Sequence, residues 1–452
     1  MSVNRRSFLR HAAAAGAGFA LPLERFWSRL AAEAQVRHAT AGYGPLAPVA
    51  DRTTGLSLLA LPDGFRYASF GWTGDPLGGG GRTPALHDGM AAFAGQGGRV
   101  MLVRNHEVAE GPAFADELTY DRGAGGGTTT VAFDAEQGEW LGASASLSGT
   151  VRNCAGGPTP WGSWLTCEES LAEPGDERPY TRKHGYVFDV PVAGRATCEP
   201  LVAMGRFVHE AVAVDPDTGI VYETEDALTA GMYRFIPAAP GDLAQGGRLG
   251  MLAIEGRPAF DTRIGQTVGA ELPVAWVGID DPDRPHDRET DGRGVFAQGR
   301  AKGGATFARL EGAWYGSGRI YITATSGGDA RMGQVWELDA QRSRLRLVFE
   351  SPGQAVLSMP DNICVSPRGG LVLCEDGPGT SRVHGLTTDG RLFEFARNTA
   401  LIPEGHDRPA GDFTGSEFAG ATFSPDGRWL FVNLQSPGIT FAITGPWDDG
   451  LL

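Results

Sequence analysis

Residues Val151–Ser170, VRNCAGGPTPWGSWLTCEES, decide the fold. They read as one β-hairpin. A polar entry at Arg152-Asn153-Cys154 leads into a Gly/Pro/Trp turn, and a strand over Trp164–Cys167 then ends on Glu168 and Glu169. A hairpin brings its end back to its beginning, so Cys154 and the Glu168/Glu169 pair are expected at one edge of the sheet. A thiolate meeting carboxylates at one edge is a donor set suited to metal.

The same unit recurs along the chain. Gly97–Glu107, Gly157–Glu169, Val214–Asp226, Gly316–Asp329, Val365–Asp376 and Phe423–Gln435 each reach a short β-rich run that ends on polar or acidic residues. Most contain a tight turn of the Asp/Ser-Pro-x-Gly or Gly-x-Gly kind. Strand ends fall about 50–60 residues apart, with one interval near 100, and such a period in an all-β pattern means a propeller. Six units predict an all-β, six-bladed β-propeller. Further strands are expected over Thr128–Asp134, Gly185–Val190, Met232–Pro237, Gln334–Asp339 and Arg391–Ala396. The wide interval predicts an inserted loop region at about 238–301, between the third and fourth blades, serving as a lid or as decoration. Residues 34–86 are expected to supply an opening strap and part of the ring closure.

The bulk composition agrees. Glycine, at 67 of 452 residues, is spread through the chain, which suits many turns between many strands. A formal net charge of −15 argues against a nucleic-acid surface and leaves carboxylates to spare for cations. Beyond the N-terminus no apolar run is long enough for a membrane helix. The five cysteines include no Cys-x-x-Cys pair, so no disulfide framework is expected. Cys167, Cys364 and Cys374 lie in apolar strand patterns and read as core residues, whereas Cys154 sits in a polar loop.

Asn4-Arg5-Arg6-Ser7-Phe8-Leu9-Arg10 is a twin-arginine sequence, followed by a mild apolar stretch over Ala12–Leu23 and a small-residue cleavage site at Ala32-Glu33-Ala34. Residues 1–34 therefore read as a twin-arginine signal peptide and 35–452 as one propeller domain, exported to a periplasm or beyond. No membrane anchor is expected after cleavage, and a monomer is.

In a propeller the innermost strand of each blade starts at the top, and the next strand returns there. Residues before the first strand and after the second thus gather near the central channel. That places Cys154, Glu210, Glu311, Asp361 and Glu417 around one axis, with the returning ends adding Asn105, Glu107, Glu168, Glu225, Glu375 and Asp376. Any one of these acids would ordinarily face solvent or cap a turn, and Arg309 with Glu311 could be a surface ion pair. It is their coincidence at one end of the repeats that points to a site. Crowded carboxylates repel unless cations neutralise them; hard oxygens in number suit Ca²⁺, and a thiolate adds a transition metal. Arg152, Arg309 and Arg397 fit an anionic substrate, because guanidinium forks match phosphate oxygens. His87, His106 and His209 read as structural hydrogen-bonders, and Trp161 and Trp164 as packing.

The motifs Arg104-Asn105-His106-Glu107, Asn153-Cys154-Ala155-Gly156-Gly157, Thr159-Pro160-Trp161-Gly162, Leu165-Thr166-Cys167-Glu168-Glu169, Pro360-Asp361-Asn362 and Phe418-Ala419-Gly420 resemble the PhoX family of alkaline phosphatases. The resemblance runs from about His87 to Gln435 and includes the twin-arginine leader. It implies a six-bladed propeller that hydrolyses phosphomonoesters with Fe³⁺, two ions, and several Ca²⁺. An oxide or hydroxide between the metals would be the nucleophile. Carried over by motif, Cys154 would bind iron, with Glu107, Glu210 and Glu311 as metal-binding carboxylates. Asp361 and Asn362 would serve calcium. Asn105, Glu168, Glu375 and Glu417 complete the expected ligand set. Arg309 would hold the substrate phosphate and Arg397 would be a second phosphate-binding arginine. Two other readings compete: a calcium-dependent propeller lactonase or phosphotriesterase, which has no use for Cys154, and a non-catalytic metal-binding propeller, which has no use for Arg309.

Overall fold

The computed structural model describes residues 42–175, 178–284 and 294–452. The twin-arginine leader lies outside the described residues. What is described is almost wholly β, with one eight-residue α-helix at Gly294–Ala301, and no described helix is long and apolar enough to cross a membrane.

Six hairpins repeat in chain order. Their first strands are His87–Ala94, Asn153–Pro158, His209–Val214, Leu310–Gly316, Pro360–Val365 and Phe418–Phe423. Each pairs antiparallel with the strand that follows: Arg99–His106, Ser163–Glu168, Val221–Glu225, Arg319–Ala324, Leu371–Glu375 and Leu430–Leu434. The first strands pack side by side in sequence order, and the sixth returns against the first, so the ring is closed. Third strands lie outside them at Gly126–Asp134, Val187–Pro191, Met232–Pro237, Gln334–Asp339, Arg382–Leu386 and Ile439–Thr444; the first four match expected strands, and the strand expected over Arg391–Ala396 is the fourth of its sheet, Leu392–Asn398.

Apolar residues alternate along these strands, so each sheet presents a hydrophobic face to both neighbours. Separate cores result. Leu102 and Val131 of the first sheet pack with Phe431 of the last, while Val103 and Leu147 meet Trp164 and Phe188 of the second. Val212 and Tyr233 close on Leu165, and Val372 of the fifth sheet packs against Val432 of the sixth. Circular order is locked by the chain start: Arg66–Phe70 is the outer strand of the last sheet, paired with Ile439–Thr444. Tyr43 adds to the closure, its hydroxyl donating to the backbone oxygen of Leu452 at 2.8 Å.

The interval 238–301 differs from expectation. Gly247–Ile254 is the fourth strand of the third sheet, and Glu271–Gly278 pairs with it on one side and with Arg344–Glu350 of the fourth sheet on the other. The described part of this stretch therefore welds two sheets into one of nine strands rather than looping over a face. Its Gly, Pro and Asp content hides strands that are held by pairing partners distant in sequence.

Near the axis the first strands approach too closely for side chains. A Cβ on Gly89 would lie 2.6 Å from Ala155 Cα, and one on Gly312 would lie 2.5 Å from Asp361 O. We expect Gly89→Ala to cost about 1–3 kcal/mol by forcing backbone apart, seen as a fall of several degrees in the thermal midpoint. An unchanged midpoint would show that the ring tolerates widening.

Candidate metal centre

One irregularity recurs in all six hairpins. Just after the first strand begins, its pairing slips: between His87 and Met90, Asn153 and Gly156, His209 and Val212, Leu310 and Ala313, Pro360 and Ile363, and Ala419 and Thr422. Such a bulge leaves residues without a cross-strand partner and bends the strand. In five of the six, the second residue of the strand is then Asp88, Cys154, Glu210, Glu311 or Asp361, all buried. Four of the residues that lead into these strands take left-handed backbone: Leu86, Arg152, Arg309 and Met359, with φ between 45° and 54°. That region is disfavoured for side chains and persists where surrounding structure imposes it.

Three of the returning strands share a second feature. Their last residue turns outward and pins the chain ahead of the inner strand. Glu168 accepts from Val151 N at 2.9 Å and Gly185 N at 2.8 Å, and pairs with His184 Nδ1 at 2.6 Å. Glu375 accepts from Ser358 N at 2.7 Å and meets Arg382 and His384. His106 does the equivalent with Ala85 O. Successive side chains along a strand alternate, so the next residue faces the channel: Glu107, Glu169, Asp226, Asp376 and Gln435.

Members of the expected ligand set fall in different places. Glu168 and Glu375 are spent on backbone amides and histidines, and their neighbours Glu169 and Asp376 stand in the ring. Asn105 uses all its polar capacity to brace the bulge: it donates to Cys154 O and Ala155 O at 2.9 and 2.7 Å, and accepts from Trp164 Nε1 and Thr166 Oγ1 at 2.8 Å. Asn362 donates to Asp361 Oδ1 and accepts from Gly420 N of the neighbouring sheet, so it orients Asp361 while anchored across a sheet boundary. Arg397 lies on the outer strand Leu392–Asn398, half exposed and forked onto Glu394 at 2.7 Å; the structure does not bring it to the others. Cys154, Glu107, Glu210, Glu311, Asp361, Glu417 and Arg309 do come together.

They form a closed belt of side chains. Arg152 Nη2 contacts both Glu107 and Glu169 at 2.6 Å. Glu169 lies against Asp226. Arg309 joins Asp226, at 3.0 Å, to Glu311, at 2.5 Å. Glu311 meets Asp361, whose carboxylate groups with those of Asp376 and Glu417. Gln435 closes the circle, donating to Glu417 and, at 2.8 Å, to Glu107. Within the belt, ligand atoms of Asp88, Glu107 and Cys154 lie within 4.8 Å of one another, as do those of Cys154, Glu169 and Glu210 and those of Asp361, Asp376 and Glu417. Cys154 is common to the first two groups.

Burial, reinforced by mutual repulsion, holds these acids toward their protonated forms. Burial followed by Glu107 and Asp361 pushes Asp88 well up; burial followed by Asp361 does the same for Glu210 and Glu311. Burial raises Glu169 against the pull of Arg152, and burial with Asp376 raises Glu417. Asp361 is pushed up to about 7, and the Cys154 thiol rises through burial and the surrounding acids Asp88, Glu210 and Glu107. Glu210 Oε1 has no hydrogen-bond partner among the described residues. Buried carboxylates without partners are costly, and cations are what such a set accommodates.

Beneath the belt Ala155, Ala211, Gly312, Asn362 and Gly420 line a narrow void of about 10 Å³. Beside Asp376 and Glu417 the mouth widens into a cavity of about 400 Å³ walled by Phe413, Ser416 and Asp412. Asp88, Glu169, Asp226, Asp376 and Gln435 are the members outside the expected ligand set. The signal for them is the pleat, since each sits one position along from a residue that faces the other way or that carries the strand pairing.

Comparisons with known proteins follow this geometry. The family model described as alkaline phosphatase PhoX matches residues 41–146 and 141–438. Among solved structures, PhoX of Pseudomonas fluorescens, in complex with the transition-state analogue vanadate, superposes with a TM-score of 0.65 at 18% identity, covering 91% of this chain and 99% of that one. A gluconolactonase from Xanthomonas campestris gives a TM-score of 0.41 at 14% identity, with 89% and 98% covered. No curated protein sequence matches. The family model spans most of the sequence, and this chain belongs to the PhoX family of alkaline phosphatases.

Proposed function

We propose that this metal-dependent phosphatase hydrolyses phosphomonoesters in the well formed by the acidic belt, and that its six hairpins are the blades of a six-bladed propeller. The observation that carries the reading is the belt itself, in which carboxylates, one thiol and two arginines meet in one ring. The donors sort by chemistry. Cys154, shared between Asp88 with Glu107 and Glu169 with Glu210, is a soft ligand suited to a pair of iron ions. Asp361, Asp376 and Glu417 offer oxygen alone and suit calcium. Glu311 stands between the two sets. When bound, the cations would supply Lewis acidity toward the phosphoryl oxygens and neutralise the belt.

The chain's own residues do the rest. Arg309 offers a partly exposed guanidinium at the rim, where a phosphate dianion would land. Asn362 and Asn105 hold Asp361 and the Cys154 bulge in place. The cavity by Phe413 gives the leaving alcohol room. No serine or threonine nucleophile is needed. The twin-arginine leader supports export of the folded, metal-loaded protein to the periplasm, because that route carries proteins already folded.

Cys154→Ser should lose iron while keeping calcium, and lose activity by more than about 100-fold, read by metal analysis and p-nitrophenyl phosphate hydrolysis. Full iron content in that variant would remove the thiol from the site. Stability of the chelator-stripped protein should depend on pH in a set direction. Asp88, Glu169, Glu210, Glu311, Asp361 and Glu417 have folded values above the unfolded value of about 4, so the stability they contribute is full below about pH 4 and is lost as pH rises through the folded values. For Asp361 that value is about 7. Thermal midpoints of stripped protein should therefore fall between pH 5 and 8 and recover on adding Ca²⁺ and Fe³⁺. A midpoint that rises with pH would contradict this electrostatic account.

A further inference from the structure

Arg152 and Arg309 occupy the same place in two different hairpins. Each immediately precedes an inner strand, and each has left-handed backbone, φ 51° and 45°. Each also bridges two belt acids: Arg152 joins Glu107 to Glu169, and Arg309 joins Asp226 to Glu311. The inner members of these pairs, Glu169 and Asp226, lie against each other. The two guanidiniums are thus separated by one carboxyl contact, and Glu169 in that contact is itself a member of the Cys154–Glu169–Glu210 group.

Their exposure has a direction. The side chains are 43% and 27% exposed, whereas the four acids they hold are between 4% and 12% exposed. Both arginines spend Nε and Nη2 on those acids, and Nη1 of each has no partner among the described residues. An acid-anchored guanidinium with its outer amino group open toward solvent is a preorganised donor. Arg397, the other arginine singled out from sequence, is forked onto Glu394 on an outer strand and offers nothing to the well.

Resting on the phosphatase reading, we infer that Arg152 is the second phosphate-binding arginine, and that it pairs with Arg309 as a two-sided clamp over the thiolate end of the belt. A phosphomonoester dianion has enough oxygens to accept from both forks while its bridging oxygen points to the mouth. The clamp therefore favours a terminal phosphate, whose charge two guanidiniums can share, over a diester, whose second substituent would collide with one of them.

The test uses the metal-loaded enzyme with Arg152→Gln, Arg152→Lys, Arg309→Gln and Arg397→Gln. KM for p-nitrophenyl phosphate, inhibition by inorganic phosphate, calorimetric binding of phosphate, and metal content are measured for each. The clamp predicts that Arg152→Gln weakens phosphate binding about tenfold or more with metal content unchanged, as Arg309→Gln does. Arg152→Lys, with charge but no fork, should recover part of that loss, and Arg397→Gln should match the unsubstituted enzyme. Normal phosphate binding in Arg152→Gln with a loss in Arg309→Gln would overturn the clamp alone. Normal binding in both would overturn the phosphate-binding reading of the whole rim. Loss of metal in Arg152→Gln, unrepaired by lysine, would make the residue a belt support and would also overturn the clamp.

Discussion

Like charges buried together set the terms for this molecule. Asp88, Glu210, Glu311 and Asp361 are all but inaccessible to solvent and stand close enough to raise one another's proton affinity. Removing several carboxylates from water into one small volume is unfavourable unless positive charge joins them. Two arginines supply part of it and metal ions are suited to supply the remainder. The sheets, bulges and braces are arranged so that this unfavourable cluster forms at one end of the ring and nowhere else.

The ring achieves that by repeating a defect. A bulge at the same point of each inner strand tips its second residue toward the axis, and a glycine or other small residue beside it lets the neighbouring backbone approach. Those bulges would be soft without support. Asn105 braces two consecutive carbonyls at Cys154 and Ala155, and Glu168 and Glu375 tie down the lead-in segments with charge-assisted bonds to backbone amides. Residues that resemble ligands by type thus act as scaffolding one layer outside the well, and their loss would blur the positions of donors they do not touch.

Chemistry follows from the asymmetry of the belt. A single thiol sits on one side and an all-oxygen group on the other, so the two halves prefer different cations. Arg152 lies at the thiol side, on Glu107 and Glu169, whereas Arg309 spans Asp226 and Glu311 toward the oxygen side, where the roomier cavity lies beside Asp376 and Glu417.

Much of this was legible in the chain alone. Hairpin spacing with turns at fixed offsets revealed the repeat, because turn chemistry and strand alternation are local. Cys154 with the acids that end each β run, together with the Asn-Cys-x-Gly-Gly string, revealed the site. Only tertiary structure decided which of two adjacent residues enters the well, Glu168 or Glu169, Glu375 or Asp376, since a bulge inserts a residue and the pairing that defines it is made across strands. Tertiary pairing also turned the glycine-rich interval into the strands Gly247–Ile254 and Glu271–Gly278, and sent Arg397 to an outer strand while bringing Arg152 to the rim. Side-chain direction in a sheet is fixed by register, and register belongs to the partner strand as much as to the sequence that carries the residue.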